Sequence, residues 1–129
     1  MIVVSRFQTA ETGFPERARA ALDAFAACAG FERGRLGRAA DDPTLWTVVT
    51  EWKSVGAFRR ALSSYDVKLY ASPLLSEAIP ESGAYEVLLS LNPNDSGGVD
   101  VIEAASGLAP DAGSVRVGEA SGPVPGDRD

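Results

Sequence analysis

The chain contains no histidine and one cysteine, Cys28. Without histidine there is no imidazole base, no proximal histidine for haem and no histidine-bearing metal site. The lone Cys28 excludes an intrachain disulfide. It sits in an alanine-rich helical pattern and reads as a small core residue. A reactive thiol needs a neighbouring base or cation, and no histidine is there to serve. The acidic residues form no spaced cluster that would suit magnesium or calcium, so no metal is expected. What remains is a crowd of aromatic and cationic side chains between residues 52 and 70: Trp52, Phe58, Arg59, Arg60, Tyr65, Lys68 and Tyr70. Their use depends on the elements that carry them.

Those elements are organised around Thr44–Leu62, TLWTVVTEWKSVGAFRRAL. Trp46, Val48, Thr50 and Trp52 alternate with Leu45, Thr47, Val49 and Glu51, a period of two with β-branched and aromatic residues. The face with two tryptophans must lie under something. Ser54 then offers an N-cap oxygen, and Val55, Phe58 and Leu62 recur at helical spacing. Upstream, Ile2–Phe7 reads as a strand. Pro15 and Glu16 suit the first turn of a helix. Ala18, Leu22, Phe25 and Ala29 form its apolar stripe, and Gly30 is expected to stop it. Phe31–Ala39 reads as a strand weakened by Gly34 and Gly37, turning at Ala40–Pro43. Downstream, Asp66–Ala71 reads as a helical turn, Ser72 caps another that begins at Pro73, and Ala84–Leu91 is the last strand.

The order βαββαβ predicts an α+β, ferredoxin-like fold: an antiparallel four-stranded sheet with helices on one face. The other face has no helices. Because the third strand is apolar on both sides, a second copy is expected to cover that face, giving a homodimer.

Charge divides the chain. The net charge is -6, yet residues 1–91 hold 10 basic and 11 acidic residues, whereas residues 92–129 hold 2 and 7. Neither part suits nucleic acid, which needs a basic patch. Arg33, Arg35 and Arg38 read as a solvated strand edge. Residues 92–129 contain seven glycines, four prolines and no aromatic residue. They are expected to be a disordered acidic tail to a single domain spanning residues 1–91, with at most a turn of helix in Val99–Leu108. The opening MIVVSRF is too short and unflanked for a signal peptide, and no apolar run approaches a membrane span, so the cytoplasm is expected.

The element order, the run GFERGRLGRAADDPTLWTVVTEWKSVGAFRRAL and the closing YEVLL resemble the antibiotic-biosynthesis monooxygenase domain. The resemblance covers about residues 1–90. Its most specific part is W-x-S-x-x-A-F, carried by Trp52, Ser54, Ala57 and Phe58. The resemblance implies a dimeric α+β barrel. It also implies a choice of chemistries, since some members oxidise aromatic phenols to quinones with oxygen and no metal or flavin, and others cleave haem. The haem-degrading branch uses an asparagine, a tryptophan and a histidine whose positions fall near Ser5, near Ala61, and near Ala71 or Ser72. None of the three is present here.

Cofactor-independent oxygenation asks little of a protein, since a deprotonated, electron-rich phenol can itself donate an electron to oxygen. The protein binds the aromatic, favours its anion and excludes bulk water. Under the resemblance, Ser5, Trp52, Arg60, Tyr65, Lys68 and Tyr70 are the expected substrate-binding residues, with no cofactor. Phe58 reads as core. Arg59 and Arg60 lie about 100° apart on a helix, so at most one reaches a pocket. Asp66 is a candidate base or a helix cap, and no catalytic residue is assigned. Two readings stay open: a monooxygenase acting on a small aromatic, or a non-catalytic dimeric binding or structural module.

Overall fold

The structure is a computed structural model and describes residues 1–104 of the 129. Strand β1 spans Ile2–Gln8, helix α1 Phe14–Ala26, β2 Phe31–Ala39, β3 Asp42–Trp52 and helix α2 Val55–Ala61. A π-helical turn, Val67–Ala71, runs into the short helix α3, Ser72–Leu75. Strand β4 is Ala84–Tyr85, β5 is Leu89–Pro93 and β6 is Val99–Glu103. Strands β1 to β4 form one antiparallel sheet in the order β2-β3-β1-β4, the ferredoxin-like arrangement expected from the sequence. Strands β5 and β6 form a separate antiparallel hairpin.

The alternation along β1 and β3 sorts side chains between the two faces. Val3, Ser5 and Phe7 pair with Thr50, Val48 and Trp46 on the helix-covered face. Val3, Phe7, Val48 and Trp52 meet Ala18, Ala21 and Phe25 of α1, Phe58 of α2, and Val67, Ala71 and Leu74 beyond it. Alanines on the buried stripe let α1 approach closely. Ser54 caps α2 as expected, its Oγ accepting from the Ala57 N–H at 3.0 Å.

Several expectations are corrected at element ends. Helix α1 stops at Ala26, and Ala29 is exposed. Gly30 instead turns the chain into β2, with φ of +87°. Asp66 makes no side-chain cap bond; Ser64 Oγ accepts from the Val67 N–H at 3.3 Å. Ser72 opens α3 rather than capping it. The strand expected over Ala84–Leu91 joins the sheet only at Ala84–Tyr85, because its register there runs past Ile2, where β1 begins. Val99–Glu103, expected as a helical turn, is a strand, as its alternating valines favour. The boundary expected after Leu91 therefore falls in mid-strand, and residues 105–129 of the expected tail lie outside the described residues.

The segment leading into β4 is fastened to β1. Ile79 N–H donates to the Arg6 carbonyl at 2.8 Å, and Val4 N–H to the Gly83 carbonyl at 2.6 Å. Arg6 Nε and Nη2 each donate to one Glu81 carboxylate oxygen at 2.7 Å. That hydrogen-bonded pairing holds the Glu81 carboxyl below its ordinary value of 4.5. A lowered folded-state value means the pair's contribution is present above pH 4.5 and is lost as the pH falls further. The difference in thermal midpoint between wild type and Glu81→Gln should therefore shrink in acid; a constant difference from pH 7 to 3 would refute the assignment.

Gly30 supplies a second prediction. A Cβ there would lie 2.5 Å from the Ala57 Cβ, and the positive φ disfavours any L side chain. Gly30→Ala should destabilise by about 2–4 kcal/mol, combining backbone strain and overpacking, read by chemical denaturation.

Candidate functional site

Two aromatic clusters lie under the helix-covered face of the sheet. At one end, the Trp52 ring stands edge-on to Phe25 at 5.6 Å and to Phe31 at 5.4 Å, and tilts against Phe58 at 5.4 Å. Its indole N–H donates to Thr50 Oγ1 at 2.8 Å. With its one polar group satisfied and 1% of its surface exposed, Trp52 belongs to the core. At the other end, Phe14 packs on Phe7 at 5.1 Å and on Trp46 at 5.4 Å. The Arg38 guanidinium lies over the Trp46 ring at 5.4 Å, a cation–π contact.

Ser5 sits between these clusters. It lies between Val3 and Phe7 on β1 and opposite Val48 on β3. Only 3% of its surface is exposed, and its Oγ has no hydrogen-bond partner. Leaving a hydroxyl unpaired inside a protein costs about 1–3 kcal/mol. Such an atom is suited to donate to, or accept from, an oxygen on an apolar ligand entering between sheet and helices. It is neutral and cannot itself serve as a base at neutral pH.

The structure does not gather all six expected binding residues. Ser5 and Trp52 lie beneath the sheet, whereas Arg60, Tyr65, Lys68 and Tyr70 are exposed. Tyr65 keeps 77% of its surface and Tyr70 50%. For Lys68 and Tyr70 the π-helical turn explains this. Val67 and Ala71 are buried, with Leu74 and Leu75 continuing that side, so Lys68, Leu69 and Tyr70 between them face outward. Asp66 is exposed as well, Arg59 is half-buried, and Cys28 packs at the core margin.

Sequence reasoning missed the Phe7–Phe14–Trp46–Arg38 end of the face. The signal for Trp46 was there, six residues from Trp52 at period two. The place of Arg38 needed the β2–β3 register, in which Arg38 pairs with Trp46. Among the described residues no group of three acidic or cysteine side chains could hold a metal.

Two substitutions separate core from site. Trp52→Ala should cost about 3–5 kcal/mol in denaturant unfolding, as expected for a buried aromatic. Ser5→Ala removes only the unpaired hydroxyl, so stability should hold or rise by about 1 kcal/mol. A clear loss of stability in Ser5→Ala would show that the hydroxyl has a structural partner.

The family model described as antibiotic biosynthesis monooxygenase matches residues 2–72, from the start of β1 to the start of α3, more than half of the chain. SnoaB, a cofactor-independent oxygenase from Streptomyces nogalater, is similar at 26% identity, over 67% of this chain and 94% of its own, with a TM-score of 0.55. A variant of SnoaB is 30% identical over 60% of this chain and 82% of its own, with a TM-score of 0.53. Rv0793 from Mycobacterium tuberculosis, at 16% identity, covers 84% of this chain and 97% of its own with a TM-score of 0.52, and shares the fold. None of the curated proteins compared matches the chain.

Proposed function

From its membership of the antibiotic biosynthesis monooxygenase family, to which this chain belongs, we propose that it is a cofactor-independent monooxygenase acting on a small phenol- or quinone-type aromatic. The similarity to SnoaB supports oxygenation without a cofactor. The observation that carries the aromatic reading is the buried, unpaired Ser5 hydroxyl between two aromatic clusters. A phenol held there would find apolar walls and one hydrogen-bonding group, a common pattern in small-molecule sites.

The reaction then balances without a protein redox group. A phenol and oxygen yield a quinone and water. The substrate supplies four electrons; one oxygen atom becomes the new carbonyl and the other leaves as water. The protein's tasks are to hold the ring, bond its oxygen and keep out solvent.

The exposure of Tyr65 and Tyr70 favours the second reading, a non-catalytic binding or structural module of the same fold. In either reading we propose a homodimer acting in the cytoplasm. A second copy would cover the helix-free face, where Ile2, Val4, Leu45 and Val49 are half-buried. Among the described residues no helix is long and apolar enough to cross a membrane.

The test is oxygen uptake and native mass spectrometry with a panel of phenols and hydroquinones. The monooxygenase reading expects oxygen consumption with a quinone product, lowered about tenfold or more in Ser5→Ala while its fold is retained. Binding without turnover would select the non-catalytic reading. Turnover unchanged in Ser5→Ala would remove Ser5 from the site, and Tyr70→Phe tests the outer tyrosine in the same way.

A further inference from the structure

Ser5 lies on β1, which pairs with β3 along one side. Along its other side, β4 pairs only with Ile2 and Val3. From Val4 onward that edge of β1 is taken up by residues 76–83, the chain that joins α3 to β4. Two backbone hydrogen bonds tie this segment down, and they bracket Ser5. Val4 N–H donates to the Gly83 carbonyl at 2.6 Å, and Ile79 N–H donates to the Arg6 carbonyl at 2.8 Å. Two arginine forks tie it from outside. Arg6 donates to both Glu81 carboxylate oxygens at 2.7 Å, and Arg17 of α1 donates to those of Glu77 at 3.1 and 2.5 Å. The segment therefore bridges the sheet and the helix layer beside Ser5. Its apolar hold is small: Ala78 packs at the core margin and Ile79 is half-buried, whereas Glu77, Pro80, Glu81 and Ser82 are exposed. A segment held by polar contacts over little buried apolar surface opens at a lower free energy than the whole domain unfolds.

We propose that residues 76–83 form the gate through which a ligand reaches Ser5, latched to the sheet by Arg6–Glu81 and to α1 by Arg17–Glu77. The gate rests on the reading of Ser5 as the ligand's hydrogen-bonding partner. Ser5 is 3% exposed, so a ligand enters only when part of the fold moves. The β3 side is closed by the strand ladder, and the two ends are closed by buried aromatic rings, Trp52 and Phe14. Displacing residues 76–83 breaks two backbone bonds and two exposed forks and leaves both aromatic clusters in place. Exposed ion pairs contribute little each, and forked geometry puts these at the upper end of that range. Latches of that size keep the closed state dominant while an open state stays within reach of thermal fluctuation.

Thiol labelling of the full chain tests this. Ser5→Cys is made together with Cys28→Ala, so that the single thiol stands at the site. It is labelled with dithiodipyridine, a neutral aromatic disulfide that forms a mixed disulfide and releases a coloured thiopyridone. Circular dichroism and urea unfolding confirm the fold and give its global stability. At low urea, labelling should rise far less steeply with urea than global unfolding does. Glu77→Gln with Glu81→Gln should speed it about fivefold to tenfold. Asp23→Asn removes the exposed Arg19–Asp23 pair of α1, in which the segment has no part, and should leave the rate unchanged. Where the glutamine pair fails to fold, added sodium chloride should speed labelling with both latches intact, because salt screens exposed pairs. Labelling that follows urea as steeply as unfolding overturns the gate, since Ser5 is then reached only through the unfolded chain. Labelling at low urea that neither the glutamine pair nor salt speeds, or that Asp23→Asn speeds equally, overturns it by assigning entry to another route. No substrate enters this measurement. A gate that opens as described in a protein without oxygen uptake stands while the oxygenase reading falls, and turnover behind an unresponsive segment gives the reverse.

Discussion

The edge-on packing of Trp52 against Phe25 and Phe31 is the contact on which the rest of the domain depends. Those rings, with Phe58, come from β3, α1, β2 and α2. One indole therefore sets the distance between the helix layer and the sheet at one end. Its N–H is satisfied by Thr50, two residues earlier on the same strand, so a large polar-tipped ring is buried without an orphaned donor. The edge-to-face geometry adds to the area burial and gives the contact direction. Thr50 is itself almost fully buried, which makes the short polar contact part of the core rather than of a solvent-exposed rim.

Against that well-satisfied cluster, Ser5 stands out. The same buried face holds one hydroxyl that is used, on Thr50, and one that is not, on Ser5. An alanine or valine at position 5 would fill the face without a desolvated oxygen. The unpaired oxygen of Ser5 costs local stability, and it is the polar atom that the proposed aromatic ligand would engage. The aromatic clusters on either side give such a partner apolar walls without placing a formal charge against Ser5.

The two faces of the sheet are finished differently. The inner face is closed by helices whose alanines permit close approach. The outer face carries the half-buried Ile2, Val4, Leu45 and Val49 and exposed arginines along β2. The hairpin extends beyond the sheet because β4 runs past the start of β1 after two paired residues. A ribbon that leaves the sheet in this way carries its apolar side chains away from the chain's own core, which is why they stay exposed.

The order of elements, the cap at Ser54 and the two-faced third strand were legible in the sequence, because they rest on local periodicity and on short-range hydrogen bonds. The absence of histidine was enough to remove histidine ligation of haem and imidazole catalysis. Boundaries were less legible: Gly30 was expected to stop α1 but belongs to the turn into β2, and only its φ and its closeness to Ala57 show why it must be glycine. The site was least legible. Tyr65, Lys68 and Tyr70 lie near Trp52 in sequence but are exposed, Lys68 and Tyr70 because they stand on the outer side of the π-helical turn. Phe14 and Trp46 are 32 positions apart by residue number yet pack together. Side-chain types and local pattern are properties of the sequence by itself. Which atoms are left without partners in the interior, as Ser5 Oγ is, depends on strand register and on the seating of the helices, and only the tertiary structure decides those.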